Sequence, residues 1–172
     1  MTMKKGNVYW VTGLSGAGKT TIGNLLYNRI KEKKDNVVWL DGDVLREVYH
    51  TKDYSDEGRF NLAMQHGRLC KMLSDQGIDV VICVIAMYEK CRQWNRENIK
   101  NYYEIYLRVS MEELIRRDQK LLYSKVLKKE ITNVMGMDIP FEEPKKPSVI
   151  IDNNGLETPE QILEKILEKI GI

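Results

Sequence analysis

The sequence predicts an α/β fold in which a five-stranded parallel sheet is flanked by helices. Short β-branched runs alternate along the chain with segments of helical periodicity, and this alternation is typical of parallel sheets with helical crossovers. The chain has 172 residues, of which 42% are hydrophobic. That length suffices for one well-buried domain and is short for two. We therefore expect a single domain over residues 1–172.

Five runs rich in β-branched residues predict the strands of the sheet. In chain order they are Val8–Thr12, Val37–Leu40, Val80–Ile85, Tyr103–Val109 and Val149–Ile151. Helices are expected in the gaps between them, because parallel neighbours need a long crossover connection. The sheet is thereby predicted to carry helices on its faces.

Two of the predicted helices have explicit start signals. Ser110 with Glu113, and Thr158 with Gln161, match the capping box. The last helix carries one apolar stripe that predicts a core-facing side, formed by Ile162, Leu163, Ile166, Leu167 and Ile170. Before it, the stretch DIPFEEPKKPSV holds three of the four prolines. This stretch is expected to be an extended, irregular crossing.

The first strand runs directly into a P-loop. The stretch VYWVTGLSGAGKTT places Gly13, Gly18, Lys19 and Thr20 on the pattern G-x-x-x-x-G-K-[ST]. Such a loop turns its N–H groups inward, and the following helix adds the positive end of its dipole. We predict ATP binding, with Lys19 bridging the β- and γ-phosphates and the Thr20 hydroxyl ligating Mg²⁺. The nucleotide would contact Gly13, Leu14, Ser15, Gly16, Ala17, Gly18, Lys19, Thr20 and Thr21.

Composition and charge indicate which class of partner and which kind of site the protein has. The formal charge is +2, and basic residues alternate with acidic ones, so a small anionic substrate is expected and a nucleic acid is not. Cys70, Cys83 and Cys91 lack C-x-x-C spacing, which argues against a disulfide framework or a zinc site. His50 and His66 lack metal-ligand spacing, and we expect both at the surface or in helices. No apolar run approaches membrane-spanning length and no signal-peptide pattern precedes the first strand. We expect a cytoplasmic enzyme without a membrane partner.

Acidic and basic residues follow the second predicted strand. The stretch VVWLDGDVLR places Asp41, Asp43 and Arg46 at the carboxyl end of that strand, close to the P-loop. An Asp there can orient or deprotonate an attacking hydroxyl, or hold Mg²⁺ through water, and an Arg can bind a phosphate oxygen. Asp41 also suits a helix N-cap. Asp43 is the sharper candidate for the base, although the sequence leaves the choice between the two acids open.

Three segments together resemble the adenylylsulfate kinase family, and they cover nearly the whole chain. They read WVTGLSGAGKTTI, LDGDVLR and RRDQKLLYSKVLKKEITNVMGMDIPFEEPKKPSVIID. The resemblance implies a P-loop kinase fold with a helical lid over about residues 118–146. It implies MgATP as the phosphate donor and a nucleotide acceptor that is phosphorylated on its ribose 3′-hydroxyl. A homodimer is possible, because the family is often dimeric.

The resemblance also implies roles for individual residues. Asp43 resembles the proposed base for the 3′-hydroxyl, and Arg46 a ligand of the acceptor phosphate. Arg117 resembles the guanidinium that lies against the ATP adenine, and Tyr54 the aromatic that stacks on the acceptor base. Lys120 resembles a lid cation. The implied acceptor site comprises Asp41, Asp43, Arg46, Tyr54, Arg59, Ile85 and Lys120.

The chain departs from the family pattern in its acceptor half. Where the family usually reads E-N-I-R-R, the expected Asn, Arg and Arg are replaced by Leu62, Met64 and Gln65. Leu and Met cannot donate a hydrogen bond to an anion or a base edge. In VIAMYEKCR, Ala86 replaces a serine and Met87 a proline of the family's F-I-S-P. Because the ATP half is intact, we predict a working kinase with an altered acceptor.

This pattern is similar to that of the adenylylsulfate-kinase-like enzymes of bacterial capsule modification, whose acceptor is cytidine diphosphoramidate. Both acceptors are ribonucleotides with a two-unit anionic tail, so the catalytic groups need not move. Two alternatives stay open: adenylylsulfate as the acceptor, giving 3′-phosphoadenylylsulfate, and a regulator that binds a nucleotide without transferring phosphate. An N-K-x-D guanine reader is missing, which speaks against the regulator. The sequence does not fix the acceptor base, its terminal group or the oligomeric state.

Overall fold

The computed structural model describes residues 4–172, and its centre is a five-stranded parallel sheet. The order across the sheet is β2-β3-β1-β4-β5, and every neighbouring pair is parallel. The predicted α/β fold is confirmed, and all five predicted strands are present with slightly shifted ends. They are β1 (Asn7–Thr12), β2 (Val37–Asp41), β3 (Asp79–Val84), β4 (Asn101–Arg108) and β5 (Val149–Asp152).

Helices connect the strands. In the described part of the chain they are α1 (Lys19–Lys31), α2 (Gly42–Val48), α3 (Asp56–Asp75), α4 (Glu89–Asn98), α5 (Met111–Arg117), α6 (Leu122–Leu127) and α7 (Pro159–Ile170). A short 3-10 turn, Gln119–Leu121, lies between α5 and α6. Within residues 4–172, none of these helices combines the length and the apolar character needed to cross a membrane.

The core lies on both faces of the sheet because successive side chains of a strand point to opposite sides. In β1, Tyr9 and Val11 pack with α1 and α7, whereas Val8 and Trp10 pack with α3 and α4. β3 is buried along its whole length, as expected for a strand with helices above and below it. Cys70, Cys83 and Cys91 are all free and buried.

The two predicted capping boxes differ in outcome. At α7 the box is complete, since Thr158 Oγ1 accepts from Gln161 N and Gln161 Oε1 accepts from Thr158 N. The predicted stripe of α7 faces the core. At α5, Ser110 Oγ accepts from Glu113 N. The Glu113 carboxylate bonds Arg116 and Arg117 instead of returning to the cap, so only half of this predicted box forms.

The segment 118–146 lies between α5 and β5. It contains the 3-10 turn, α6 and an isolated bridge between Met135 and Ile139, and the rest is irregular. The proline-rich stretch at its end forms no helix, as predicted. Lys120 and Leu121 both have left-handed backbone, with φ of 58° and 57°. This conformation is uncommon for side chains of that size, and it turns the chain between α5 and α6.

Candidate functional site

A cavity of about 260 Å³ lies at the carboxyl ends of β1, β2 and β3. Ligands of open parallel sheets bind at this edge, where the strand order reverses. The P-loop and the start of α2 form one side of the cavity, and α3 and the loop after β3 form the other. Residues Gln119, Lys120 and Met135 of the segment 118–146 also line it. The cavity therefore joins the predicted nucleotide half to the predicted acceptor half.

The P-loop is held in place through its carbonyl groups. Tyr123 Oη donates to Ser15 O at 2.6 Å, and Asn153 Nδ2 donates to Ala17 O at 2.9 Å. A trans peptide directs the next N–H away from its carbonyl, so the N–H groups of Gly16 and Gly18 point to the opposite side. Both glycines line the cavity. Such an array of N–H groups at the start of a helix is an anion-binding site.

Lys19 begins α1 at the floor of the cavity. Its Nζ donates to Leu14 O at 2.8 Å, so the ammonium lies against the P-loop. Burial lowers the pKa of Lys19 to about 8, although the carboxylates of Asp43 and Asp41 oppose this shift. A partly desolvated cation in this position is poised to bind a phosphate oxygen.

Asp41 and Thr20 meet beside Lys19. Asp41 caps α2, since its Oδ1 accepts from Asp43 N at 2.9 Å. Its other oxygen accepts from Thr20 Oγ1 at 3.1 Å. The capping role considered for Asp41 is therefore present. The adjacent hydroxyl and carboxylate oxygens are also ligands of the type that Mg²⁺ prefers, so the residues fit this cation.

Asp43 lies in the first turn of α2 and projects into the same cavity. Its Oδ2 forms an ion pair with Lys120 Nζ at 3.0 Å. This bond and the Asp43 charge raise the pKa of Lys120. The predicted base and the predicted lid cation are thus in direct contact across the cavity, which links the segment 118–146 to α2.

Two arginines and a tyrosine form the far side of the site. The Tyr54 ring lies 4.3 Å from the guanidinium carbon of Arg46 and 5.4 Å from that of Arg59. Arg59 also donates from Nη2 to Asn133 O at 2.5 Å. Arg46 and Arg59 line the cavity, whereas Tyr54 is half-exposed and does not line it. The three predicted residues are brought together, with the aromatic ring outside the cavity wall.

Arg117 lies on the outer side of the P-loop, away from the cavity lining. Its Nη1 donates to Gly16 O at 3.0 Å, and its Nη2 donates to Asn153 O at 2.7 Å. Its Nε bonds Glu113. These bonds lie in the plane of the guanidinium and leave the stacking geometry predicted for the adenine possible. Gly13, Leu14 and Ala17 likewise belong to the loop without lining the cavity.

The residues that depart from the family pattern lie in different environments. Leu62 is buried and lines the cavity. Met64 packs against the core beneath α3, and Gln65 is exposed. Only the first of these three positions therefore contacts the acceptor half. Ile85 and Ala86 line the cavity as well, and Ala86 has a φ of 31°, which is rare for a residue with a Cβ.

His66 is a cavity residue that the sequence prediction missed. The expectation of a helical position is correct, but the alternative of a surface position is wrong, because only 3% of His66 is exposed. It lines the cavity on the same face of α3 as Arg59, Leu62 and Ala63. The spacing i, i+3, i+4, i+7 of these four residues is the signal that could have found it. His50 is exposed.

The chain is similar to known kinases over nearly its whole length. The family model described as adenylylsulphate kinase matches residues 5–152. Cytidine diphosphoramidate kinase of Campylobacter jejuni is 44% identical over 170 residues, which cover 98% of this chain and 99% of that protein. A probable adenylyl-sulfate kinase of Archaeoglobus fulgidus is 38% identical over 148 residues, 86% of this chain and 96% of that one.

The solved structures agree with this placement. A structure of the Mycobacterium tuberculosis APS kinase CysC in complex with AMPPNP and APS matches with a TM-score of 0.87 and 26% identity. The match covers 98% of this chain and 99% of that one. A shikimate kinase from Bacteroides thetaiotaomicron, at 18% identity and a TM-score of 0.66, shares the fold.

Proposed function

The chain belongs to the adenylylsulphate kinase family and is a phosphotransferase, and we propose that it transfers the γ-phosphate of ATP to the ribose 3′-hydroxyl of cytidine diphosphoramidate. One observation carries the choice of acceptor. The chain and the Campylobacter enzyme are 44% identical from end to end. The regulator considered from the sequence is set aside, because the chain is a phosphotransferase.

The apolar side chain at position 62 supports an acceptor other than adenylylsulfate. Leu62 lies in the cavity wall where the family pattern has an amide. A leucine cannot pair with a polar ligand group, and an unpaired ligand group in a closed site costs about 1 to 3 kcal/mol. An acceptor with different polar groups at this point avoids the cost. Adenylylsulfate remains the second candidate, because other relatives carry the name adenylyl-sulfate kinase.

For the donor half, we propose that the P-loop and Lys19 bind the phosphates of ATP. The inward N–H groups of Gly16 and Gly18 would bind phosphate oxygens. The Lys19 ammonium would stabilise the negative charge on the phosphoryl group during its transfer. Thr20 and Asp41 would hold Mg²⁺, which supplies further positive charge to the phosphates. Arg117 would lie against the adenine. Tyr123 and Asn153 keep the loop in shape through its carbonyls.

For the acceptor half, we propose that Asp43 positions the 3′-hydroxyl and accepts its proton. Lys120 bonds one carboxylate oxygen of Asp43, which fixes the orientation of the group and leaves the other oxygen for the hydroxyl. Arg46 and Arg59 would pair with the anionic tail of the acceptor. Tyr54, held against both guanidiniums, would stack on the acceptor base when the segment 118–146 closes as a lid. Ile85 would pack against the acceptor.

The proposal is tested by product analysis. Purified protein is incubated with MgATP and cytidine diphosphoramidate, and the product is followed by phosphorus and proton NMR. We expect a new phosphomonoester resonance coupled to the ribose C3′ proton, together with stoichiometric ADP. The variant Lys19→Ala should form product at least about 10² times more slowly, while Lys33→Ala, which removes an exposed lysine just beyond the end of α1, should match the parent. ADP without a phosphorylated acceptor would contradict the proposal.

A cytoplasmic location and a homodimer remain proposals for this chain. The first follows from the use of ATP as the donor. The second rests on the family resemblance alone, and size-exclusion chromatography with light scattering measures it directly.

A further inference from the structure

His66 is a buried polar residue in the wall of the acceptor cavity. It lies on α3 one turn beyond Leu62 and lines the same cavity as Arg46 and Arg59. On its other side the imidazole stacks on Tyr49, with ring centroids 6.0 Å apart and an interplanar angle of 29°. The ring thus lies between the cavity and Tyr49, the residue that follows α2.

The imidazole has an unmet capacity for hydrogen bonding. Neither Nδ1 nor Nε2 of His66 has a hydrogen-bond partner among the described residues, and both atoms are covered from solvent. Buried polar atoms are almost always paired in native proteins, and an unpaired one destabilises the fold. A group that folding leaves unpaired at a cavity wall is a candidate for pairing with a ligand.

The environment favours a neutral ring. Burial, followed by the positive charge of Arg46, lowers the pKa of His66 to about 4. A neutral imidazole has one N–H donor and one nitrogen that accepts. It therefore suits an N–H group of the acceptor rather than the anionic oxygens of its tail, for which the two neighbouring arginines are available.

The His66 nitrogen that accepts is a hydrogen-bonding group that the other cavity-lining side chains of α3 lack. The other lining side chains of α3 are those of Arg59, Leu62 and Ala63. A guanidinium only donates, and the other two side chains are apolar. Arg46, which faces them from α2, also only donates. Among these residues, His66 alone can accept a hydrogen bond from a ligand N–H.

We propose that His66 accepts a hydrogen bond from an N–H group of the acceptor nucleotide. The inference rests on the proposed function, and it adds a specificity contact to that site. Because both nitrogens are covered, the contact requires the ring to turn about its Cβ–Cγ bond toward the cavity that it lines. In cytidine diphosphoramidate two groups carry such an N–H: the exocyclic amine of the base and the terminal amidate.

Three acceptors separate these two sources. Cytidine diphosphoramidate has both groups, the analogue with a 2-pyrimidinone base has neither the exocyclic amine nor a ring N–H, and CDP lacks the amidate. The variants His66→Leu and His66→Asn are compared with the parent, because Leu fills the space without pairing and Asn restores a carbonyl oxygen. For each pair we measure kcat/KM at saturating MgATP, and the Kd by calorimetry where turnover is slow.

We expect His66→Leu to lower kcat/KM for cytidine diphosphoramidate by about tenfold, and His66→Asn to recover part of it. The loss should vanish with the 2-pyrimidinone analogue if the base amine is the source, or with CDP if the amidate is. An equal loss with all three acceptors assigns His66 a structural role and overturns the proposal, as does no loss with any of them. Thermal unfolding of both variants controls for folding.

Failure of the proposed function can be distinguished from failure of the His66 contact. If the parent protein does not phosphorylate cytidine diphosphoramidate, the proposed function fails. The contact is then tested with adenylylsulfate and its analogue with an unsubstituted purine base, which lacks the exocyclic amine and has no N–H on its six-membered ring. A loss in His66→Leu confined to adenylylsulfate would support the contact, and an equal loss or no loss would overturn it.

Discussion

Replacing Asp43 by Asn separates catalysis from folding in this protein. The substitution keeps the size of the side chain and the oxygen that accepts from Lys120, and it removes the basic carboxylate. Proton transfer by a positioned carboxylate contributes about 10² to 10⁴ in rate. We therefore expect kcat to fall by about 10² or more, which corresponds to about 2.7 kcal/mol of transition-state free energy.

The cost to stability should be much smaller. The side chains of Asp43 and Lys120 are 77% and 71% exposed, and an exposed ion pair contributes about 0 to 1 kcal/mol. The favourable charge of Asp43 in the first turn of α2 adds about 0.3 to 1 kcal/mol. The free energy of unfolding should therefore fall by about 1 to 2 kcal/mol at most, and the fold and the affinity for ATP should survive.

The assay measures kcat at saturating MgATP and acceptor, urea denaturation, and ATP binding by calorimetry. Asp41→Asn is the matched comparison, because Asn is an equally good N-cap while the carboxylate beside Thr20 is lost. That variant should need a higher Mg²⁺ concentration for half-maximal rate. A parent-like kcat for Asp43→Asn, with a hundredfold loss for Asp41→Asn, would refute the reasoning and move the base to Asp41.

Three further predictions concern the P-loop lysine, the packing of α1 and the titration of His66. Lys19→Ala should lower kcat/KM by about 10² or more through the loss of a charge on the transferring phosphate, and an ADP-release assay showing more than a tenth of parental activity would contradict this. Gly23→Ala should destabilise the protein by about 1 to 3 kcal/mol in urea denaturation, because the new Cβ would lie 2.2 Å from Cys83 Sγ. The control is Asn24→Ala, at an exposed position of the same helix. Equal denaturation midpoints for the two variants would refute the predicted clash. The pKa of His66 is about 4 in the fold against 6.5 as its ordinary value, so its neutral form contributes stability that is complete above pH 6.5 and is lost as the pH falls towards 4. That loss is about 3 kcal/mol at most, and unfolding free energies of His66→Leu should fall less steeply over this range than those of the parent, whereas parallel curves would exclude a depressed pKa.

The sheet and the P-loop were predictable because their signals are local. The strand runs lie in a chain where β-branched residues and helical periodicity alternate, and the G-K-T spacing fixes both a turn and a helix start. The cap at Thr158 is also local, since both of its partners lie within one helical turn. These features need no knowledge of distant contacts.

The side of the cavity formed by α3 was predicted less completely, because it depends on which face of this helix is turned toward the cavity. The sequence places Leu62, Met64 and Gln65 near one another, yet only Leu62 shares the face of His66 that lines the cavity. A helical projection anchored on Arg59 would have separated them.

The contacts that hold the P-loop could not be read from the sequence. Tyr123 and Asn153 reach the loop from 108 and 136 residues away in the chain. Tyr123 follows the left-handed turn at Lys120 and Leu121, for which the sequence shows no glycine. Long-range hydrogen bonds of this kind have no local signature.

The acceptor is tested most directly by a competition experiment. Cytidine diphosphoramidate and adenylylsulfate are mixed at equal concentration with limiting MgATP, and the two 3′-phosphorylated products are quantified at low conversion, so that their ratio equals the ratio of the kcat/KM values. We predict at least about a tenfold excess of the cytidine product, the equivalent of one unpaired polar group in a closed site. Equal amounts of the two products, or an excess of 3′-phosphoadenylylsulfate, would contradict the proposed acceptor and leave the phosphotransferase assignment in place.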